Sequence, residues 1–267
     1  MSSAAGELGW RGWTLLVVTL GCAVAAFLVP AMPQPLEYHD FADKRAWLGI
    51  ANFQNVASNL PFLIAGGWGL SLLLRGGGNF IESRERLPYV VFFLGALLTC
   101  FGSGYYHLAP ANAPLVWDRL PMTLGFAGLV SAALAERVHL GLGLRLLWAL
   151  LALGVLSVSY WAATERAGAG NVMPYGIYQG WSVLVIVLLL LCYPARRYDH
   201  GYLLIWAAVW YGLAKLFETF DDQVHALTGG LVSGHAIKHV LAALGVFAIV
   251  WQLRLRRPMQ AASIPAA

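Results

Sequence analysis

Charge is what this chain has least of. Asp, Glu, Lys and Arg make up 11% of its 267 residues, less than half the share of about 25% found in soluble globular domains, which excludes an ordinary water-facing surface. Cysteine is almost as scarce: Cys22, Cys100 and Cys192 each sit alone in a separate apolar stretch, which excludes a Cys-x-x-Cys metal or redox motif. Basic runs are missing too. The pI of about 9.1 comes from residues scattered over short loops without aromatic interleaving, so nucleic acid is excluded as a partner. No internal repeat is present, and no feature points to a protein partner. Low-complexity sequence is confined to Gly76-Gly77-Gly78 and an Ala/Pro-rich tail from Met259, expected to be disordered.

Long apolar runs are abundant. With 59% hydrophobic residues and a mean hydropathy of +0.66, the chain reads as an all-α integral membrane protein. Runs at about 55–74, 88–106, 119–135, 144–163, 176–193, 202–220 and 235–253 each approach the ~20 residues that cross a hydrocarbon core of about 30 Å at 1.5 Å per residue. They predict a seven-transmembrane-helix core bundle over 55–253. An earlier run, Trp13–Val29, follows Arg11 and precedes Pro30; it predicts an additional N-terminal helix over 13–32, with a cleaved signal peptide as the alternative. Between them, about 36–54, an amphiphilic stretch with Glu37, His39, Asp40, Asp43, Lys44 and Arg45 is expected at the membrane interface, and 254–267 as a cytoplasmic tail. All of this forms one membrane domain.

Loop charge supplies an orientation, because Lys and Arg concentrate on the cytoplasmic side. Arg11, Arg75, Arg84, Arg86, Arg137, Arg145, Arg196, Arg197, Arg254, Arg256 and Arg257 fall on one side; the other holds only Lys44, Arg45, Arg119 and Arg166. Both termini are therefore expected in the cytoplasm. The compact loops and plain N-terminus point to a bacterial inner membrane.

With that orientation, Ser103, His107, Asp118, His235 and His239 all fall toward the non-cytoplasmic face. Residues four apart share one helix face, so Ser103 with His107, and His235 with His239, each present paired polar atoms in apolar surroundings where a lone polar side chain is costly. Three imidazoles with one open position form the pattern of catalytic zinc. Asp118 suits the role of proton carrier, and Ser103 that of a donor to a developing oxyanion. Each residue also has a plainer reading: a hydrogen-bonded structural histidine, or an Asp118 that caps its helix ahead of Pro121.

Taken together, Asn52-x-x-Asn55-x-x-Ser58-Asn59-Leu60-Pro61, Ser103-x-x-x-His107, Asp118-Arg-Leu-Pro-Met122 and His235-x-x-x-His239 resemble the alkaline ceramidase family, within the CREST superfamily of seven-span membrane hydrolases. The likeness covers roughly residues 38–253. It implies zinc on His107, His235 and His239, proton transfer by Asp118, stabilisation of the tetrahedral intermediate by Ser103, and hydrolysis of the amide of ceramide or a related N-acyl lipid drawn from the bilayer. Eukaryotic members of that family also hold calcium with an acidic cluster before the first core span. Here Asp40, Asp43 and Asn52 are the corresponding oxygen donors, but Arg45 stands where another ligand is expected and is read as replacing part of the cation's charge. Lys238, between the zinc histidines, occupies a position where many members carry an aromatic residue; with Asn55 and Ser58 it is a candidate substrate-binding residue. Two other readings stay open: an acyl-ester hydrolase of the same superfamily, and a receptor or transport protein with structural zinc.

Overall fold

The computed structural model describes residues 9–259, which form ten α-helices joined by short loops. The helices are α1 (Trp10–Leu28), α2 (Phe53–Ala57), α3 (Leu60–Leu74), α4 (Arg86–Leu108), α5 (Asn112–Arg137), α6 (Leu140–Arg166), α7 (Met173–Cys192), α8 (Tyr202–Thr219), α9 (Asp221–Leu227) and α10 (Gly234–Leu255). Six stretches are long and apolar enough to cross a bilayer: α1, α2–α3 as Phe53–Leu74, Ser83–Leu108, α6, α7 and α10. A seventh is the pair α8–α9, bent by 79° at Phe220. Helix α5 is 26 residues long but carries Asp118 and Arg119 in its second turn and Glu136 and Arg137 in its last. The protein is thus a multi-pass helical membrane protein.

Several boundaries differ from those read in the sequence. Helix α5 begins at Asn112, not near Arg119, since Pro114 lies in the first turn, where no intrahelical N–H bond is lost. Asp118 is therefore not a cap. The span expected at 55–74 is broken at Ser58 and Asn59, and that expected at 202–220 continues beyond Phe220 as α9. Where a tail was expected from 254, α10 runs to Leu255 and Arg256 turns inward with no exposed surface. Residues 260–267 of that tail lie outside the described residues.

Packing follows from small residues at helix crossings, the usual way membrane helices approach closely. Helix α4 lies between α3 and α5, α5 packs on α6, and α8 packs on α10. A Cβ at Gly102 of α4 would stand 2.0 Å from the Trp117 carbonyl oxygen of α5. Pro121 has no N–H for that carbonyl four residues earlier, so Gly102 brings α4 against a backbone oxygen that lacks its helical partner. Ser103 and Asp118 are the next residues on the two helices, so this crossing sets their separation. Among the described residues, helix α1 buries none of its own and packs chiefly against α7.

At the end opposite His107, charges close the bundle. Arg256 pairs with Glu136, and Glu136 also accepts the Tyr89 hydroxyl proton at 2.7 Å. Arg256 Nε donates to the Gly78 carbonyl at 2.8 Å. Beside it, Arg197 pairs with buried Glu85 at 2.7 Å, and the Tyr198 hydroxyl donates to Glu85. Arg137 donates to the Tyr193 carbonyl at 2.6 Å. Both buried carboxylates here, Glu85 and Glu136, meet a guanidinium, which is what burial of charge requires.

Candidate metal centre

Helix α4 delivers His107 from its last turn, and α10 delivers His235 and His239 from its first two turns. The rings meet edge to face, with centroids 4.9 Å apart for His107 and His235, 5.1 Å for His107 and His239, and 4.9 Å for His235 and His239. All three are buried, at 1%, 4% and 3% exposure. One ring nitrogen from each lies within 4.8 Å of the others.

Their chemistry fits a divalent ion such as zinc. Zinc–nitrogen bonds of about 2.0–2.1 Å at tetrahedral angles put nitrogens roughly 3.4 Å apart, and Nε2 of His107 and of His235 are 3.3 Å apart. Two like ring atoms at that distance gain little from each other, whereas both gain from a shared cation. The tautomer of His239 follows from its partner. Ser58 Oγ lies 3.2 Å from the Asn55 carbonyl and 2.8 Å from His239 Nδ1; when its proton goes to the carbonyl, Nδ1–H donates to the hydroxyl oxygen. That leaves Nε2 with its lone pair free, as a metal ligand requires. His107 Nδ1 has no partner among the described residues. Lys238 Nζ lies 3.0 Å from His235 Nε2 and 2.9 Å from Glu218, so an ion at the triad displaces the first contact and leaves the second.

The surrounding loops fasten this cluster from several directions. Phe41 packs on His235 and His107, with ring centroids 4.3 Å and 4.7 Å away. Asp221, at the start of α9, accepts the backbone N–H of His235 at 2.7 Å and of Ala42 at 3.0 Å, joining the Phe41 loop to the end of α10. The Ser233 hydroxyl caps α10 by accepting from Ala236 N at 3.1 Å. His39 bridges Tyr106 and Asn112 at 2.8 Å each, and takes no part in the triad. None of Phe41, Asp221 and the Ser58 pairing was legible in the sequence, although Ser58 itself lies in a motif.

Ser103, Asp118, His239 and Lys238 line a cavity of about 800 Å³ between α4, α5, α7, α8 and α10. Its deeper walls are apolar, from Phe92, Leu129, Val187, Leu190, Val246 and Ile249. Asn55 and Ser58 do not line the cavity: Asn55 is fully buried and donates to the Asp43 carbonyl at 3.0 Å, and Ser58 contacts His239. The candidate calcium donors are also engaged. Asp40 pairs with Lys44; Asp43 receives Arg45 through both carboxylate oxygens at 2.9 and 2.7 Å; and Asn52 turns its amide nitrogen to the His107 carbonyl at 2.9 Å. Hydrogen bonds from Arg45 hold the Asp43 carboxyl below the usual carboxylate range. The site is therefore a buried three-histidine cluster able to bind a divalent metal, with His239 lining a largely apolar cavity. In comparisons with known proteins, no family model and no curated protein matches the chain.

Proposed function

We propose that this protein is a zinc-dependent intramembrane amidohydrolase that cleaves the amide of ceramide or a related N-acyl lipid to a fatty acid and an amine, as its resemblance to the alkaline ceramidases implies. The observation that carries this reading is a buried three-histidine cluster, one of whose members, His239, lines the same largely apolar cavity as the Asp118 carboxyl and the Ser103 hydroxyl. A receptor or carrier with structural zinc needs the imidazoles but has no use for Asp118 and Ser103 beside them.

His107, His235 and His239 hold the ion, with Ser58 fixing the His239 ring and Asp221 fixing the backbone of His235. A zinc ion in such a set acts as a Lewis acid and brings the pKa of water to about 7. The acyl chain lies along the apolar walls, and the amide stops among the polar groups at their end. Asp118 takes a proton from water as it attacks the amide carbon and returns it to the leaving nitrogen. Ser103 Oγ–H donates to the carbonyl oxygen as negative charge develops there. Packing of Gly102 on Trp117 keeps these two side chains at a fixed spacing.

In this reading α5 counts as a span and α8–α9 as one, giving a seven-helix core with α1 added; the loop charges place the triad toward the non-cytoplasmic face. Arg45 takes over the charge a calcium ion would bring to Asp43, so calcium binds weakly or is absent. The test is turnover of chain-matched N-acyl and O-acyl lipids by purified protein. Amide cleavage that falls about 10²–10⁴-fold in Asp118→Asn, with metal content unchanged, is expected. Ester cleavage alone moves the assignment to an acyl-ester hydrolase, and full turnover by the variant removes Asp118 from the chemistry.

A further inference from the structure

Arg119 sits in the second turn of α5, beside Asp118, and lines the cavity while being only 5% exposed. Its guanidinium face is boxed by Trp161, Tyr175 and Tyr38, whose ring centroids lie 4.2, 4.7 and 5.5 Å away. Nη2 donates to Gln34 Oε1 at 2.6 Å. Nη1 is buried with no hydrogen-bond partner, and no carboxylate pairs with Arg119 among the described residues. The contrast with Lys215 and Lys238 is direct, since both of these pair with Glu218.

The cavity wall thus carries three cations, Arg119, Lys215 and Lys238, against two carboxylates, Asp118 and Glu218. Aromatic faces satisfy the flat side of a guanidinium but leave the in-plane Nη1 group unmet, and an unmet buried charged donor is costly. A neutral lipid head leaves that deficit in place. An anion removes it, because a guanidinium edge matches a carboxylate or phosphate.

We propose that the amphiphile this cavity takes has an anionic head, a carboxylate or a phosphate, and that Arg119 is the residue that selects it. The inference sharpens the proposed function by naming the class of N-acyl lipid, and rests on that reading only for the acyl linkage. Its recognition chemistry is independent of hydrolysis.

The experiment measures binding without a scissile bond. Hexadecyloxyacetic acid, hexadecyloxyethyl phosphate and neutral 2-hexadecyloxyethanol share one chain and differ only in the head. Affinities for the full-length protein in detergent are read by calorimetry for wild type, Arg119→Gln and Arg119→Lys. The expectation is at least a tenfold preference of wild type for one of the anions over the alcohol. Arg119→Gln loses it, Arg119→Lys keeps part of it, and alcohol affinity stays the same in all three. The stronger of the two anionic arms identifies the head. Equal affinities in wild type overturn the proposal without reference to any variant. A preference that survives Arg119→Gln also overturns it, since the anion is then held by the metal or by Lys238. If no N-acyl lipid is cleaved while the preference stands, the proposed reaction falls and this subsite does not.

Discussion

The two ends of the bundle are both rich in polar side chains, yet they are built on opposite terms. At one end Glu136 meets Arg256 and Glu85 meets Arg197, with Tyr89 and Tyr198 adding hydroxyl donors. The buried carboxylates there are matched by charge within the chain, although Arg197 Nε and Arg256 Nη2 lack hydrogen-bond partners among the described residues. At the other end three imidazoles face one another, His107 Nδ1 and Arg119 Nη1 lack partners among the described residues, and Asp118 has no cation paired to it. Charge is left unpaired there, and Asp118 and Arg119 both line the cavity. The ends thus differ in the pairing of charge rather than in the presence of unmet polar atoms: paired charges hold the fold, and a carboxylate and a guanidinium without ion-pair partners are available to a ligand.

The sharpest way to break this contrast is to remove one group from each end. Replacing His239 with Ala should abolish metal retention and lower turnover by at least a thousandfold, while metal-free protein melts as wild type does. Replacing Arg256 with Met should do the reverse, destabilising by about 3–5 kcal/mol through a stranded Glu136 and leaving metal stoichiometry unchanged. Melting curves and metal analysis on both variants decide the matter; a stable Arg256→Met would mean the closed end does not hold the fold.

A smaller effect is expected one layer out from the ligands. Ser58→Ala takes away the acceptor that orients His239, and loss of such a support typically weakens metal affinity 10–100-fold. Turnover should return when zinc is raised, which a damaged catalytic group would not permit. Failure of added zinc to restore it would place Ser58 in the reaction itself.

Much of this arrangement was written locally and could be read locally. The four-residue spacings of Ser103 with His107, and of His235 with His239, survive into the fold because a helix preserves them wherever it packs. Apolar runs likewise give the spans. What escaped notice depends on contacts across the chain: Ser58 with His239, Asp221 with His235 and Ala42, Phe41 with two histidines, Arg256 with Glu136. Arg256 looked like a tail residue because its charge lies outside an apolar run, and nothing near it in sequence announces a buried carboxylate on α5. The plainer reading of Asp118 as a helix cap arises because the apolar run begins near Arg119, whereas α5 starts at Asn112.

Weaker still is the effect expected at the Asp40–Asn52 loop. Arg45 lowers the Asp43 carboxyl below its unfolded value, so the stabilisation it gives is present above about pH 4 and fades as pH falls toward the folded-state value. Protection of residues 36–52 from hydrogen exchange should fall below that pH, and in Arg45→Ala it should be lower already at neutral pH and depend less on pH. Protection unchanged by the substitution would show that the loop is held by Asn55 and Asp221 alone. Calcium added to wild type should change its melting temperature little; a large rise abolished by Asp40→Ala would restore calcium to this loop.

The central claim is that His107, His235 and His239 share one metal ion. It is tested most directly by metal content per chain in purified protein, wild type beside a variant with all three histidines replaced by Ala. One zinc per wild-type chain and none in a variant that still folds is the predicted result. Wild type that holds no metal after zinc loading, or a triple variant that keeps it, would contradict the account.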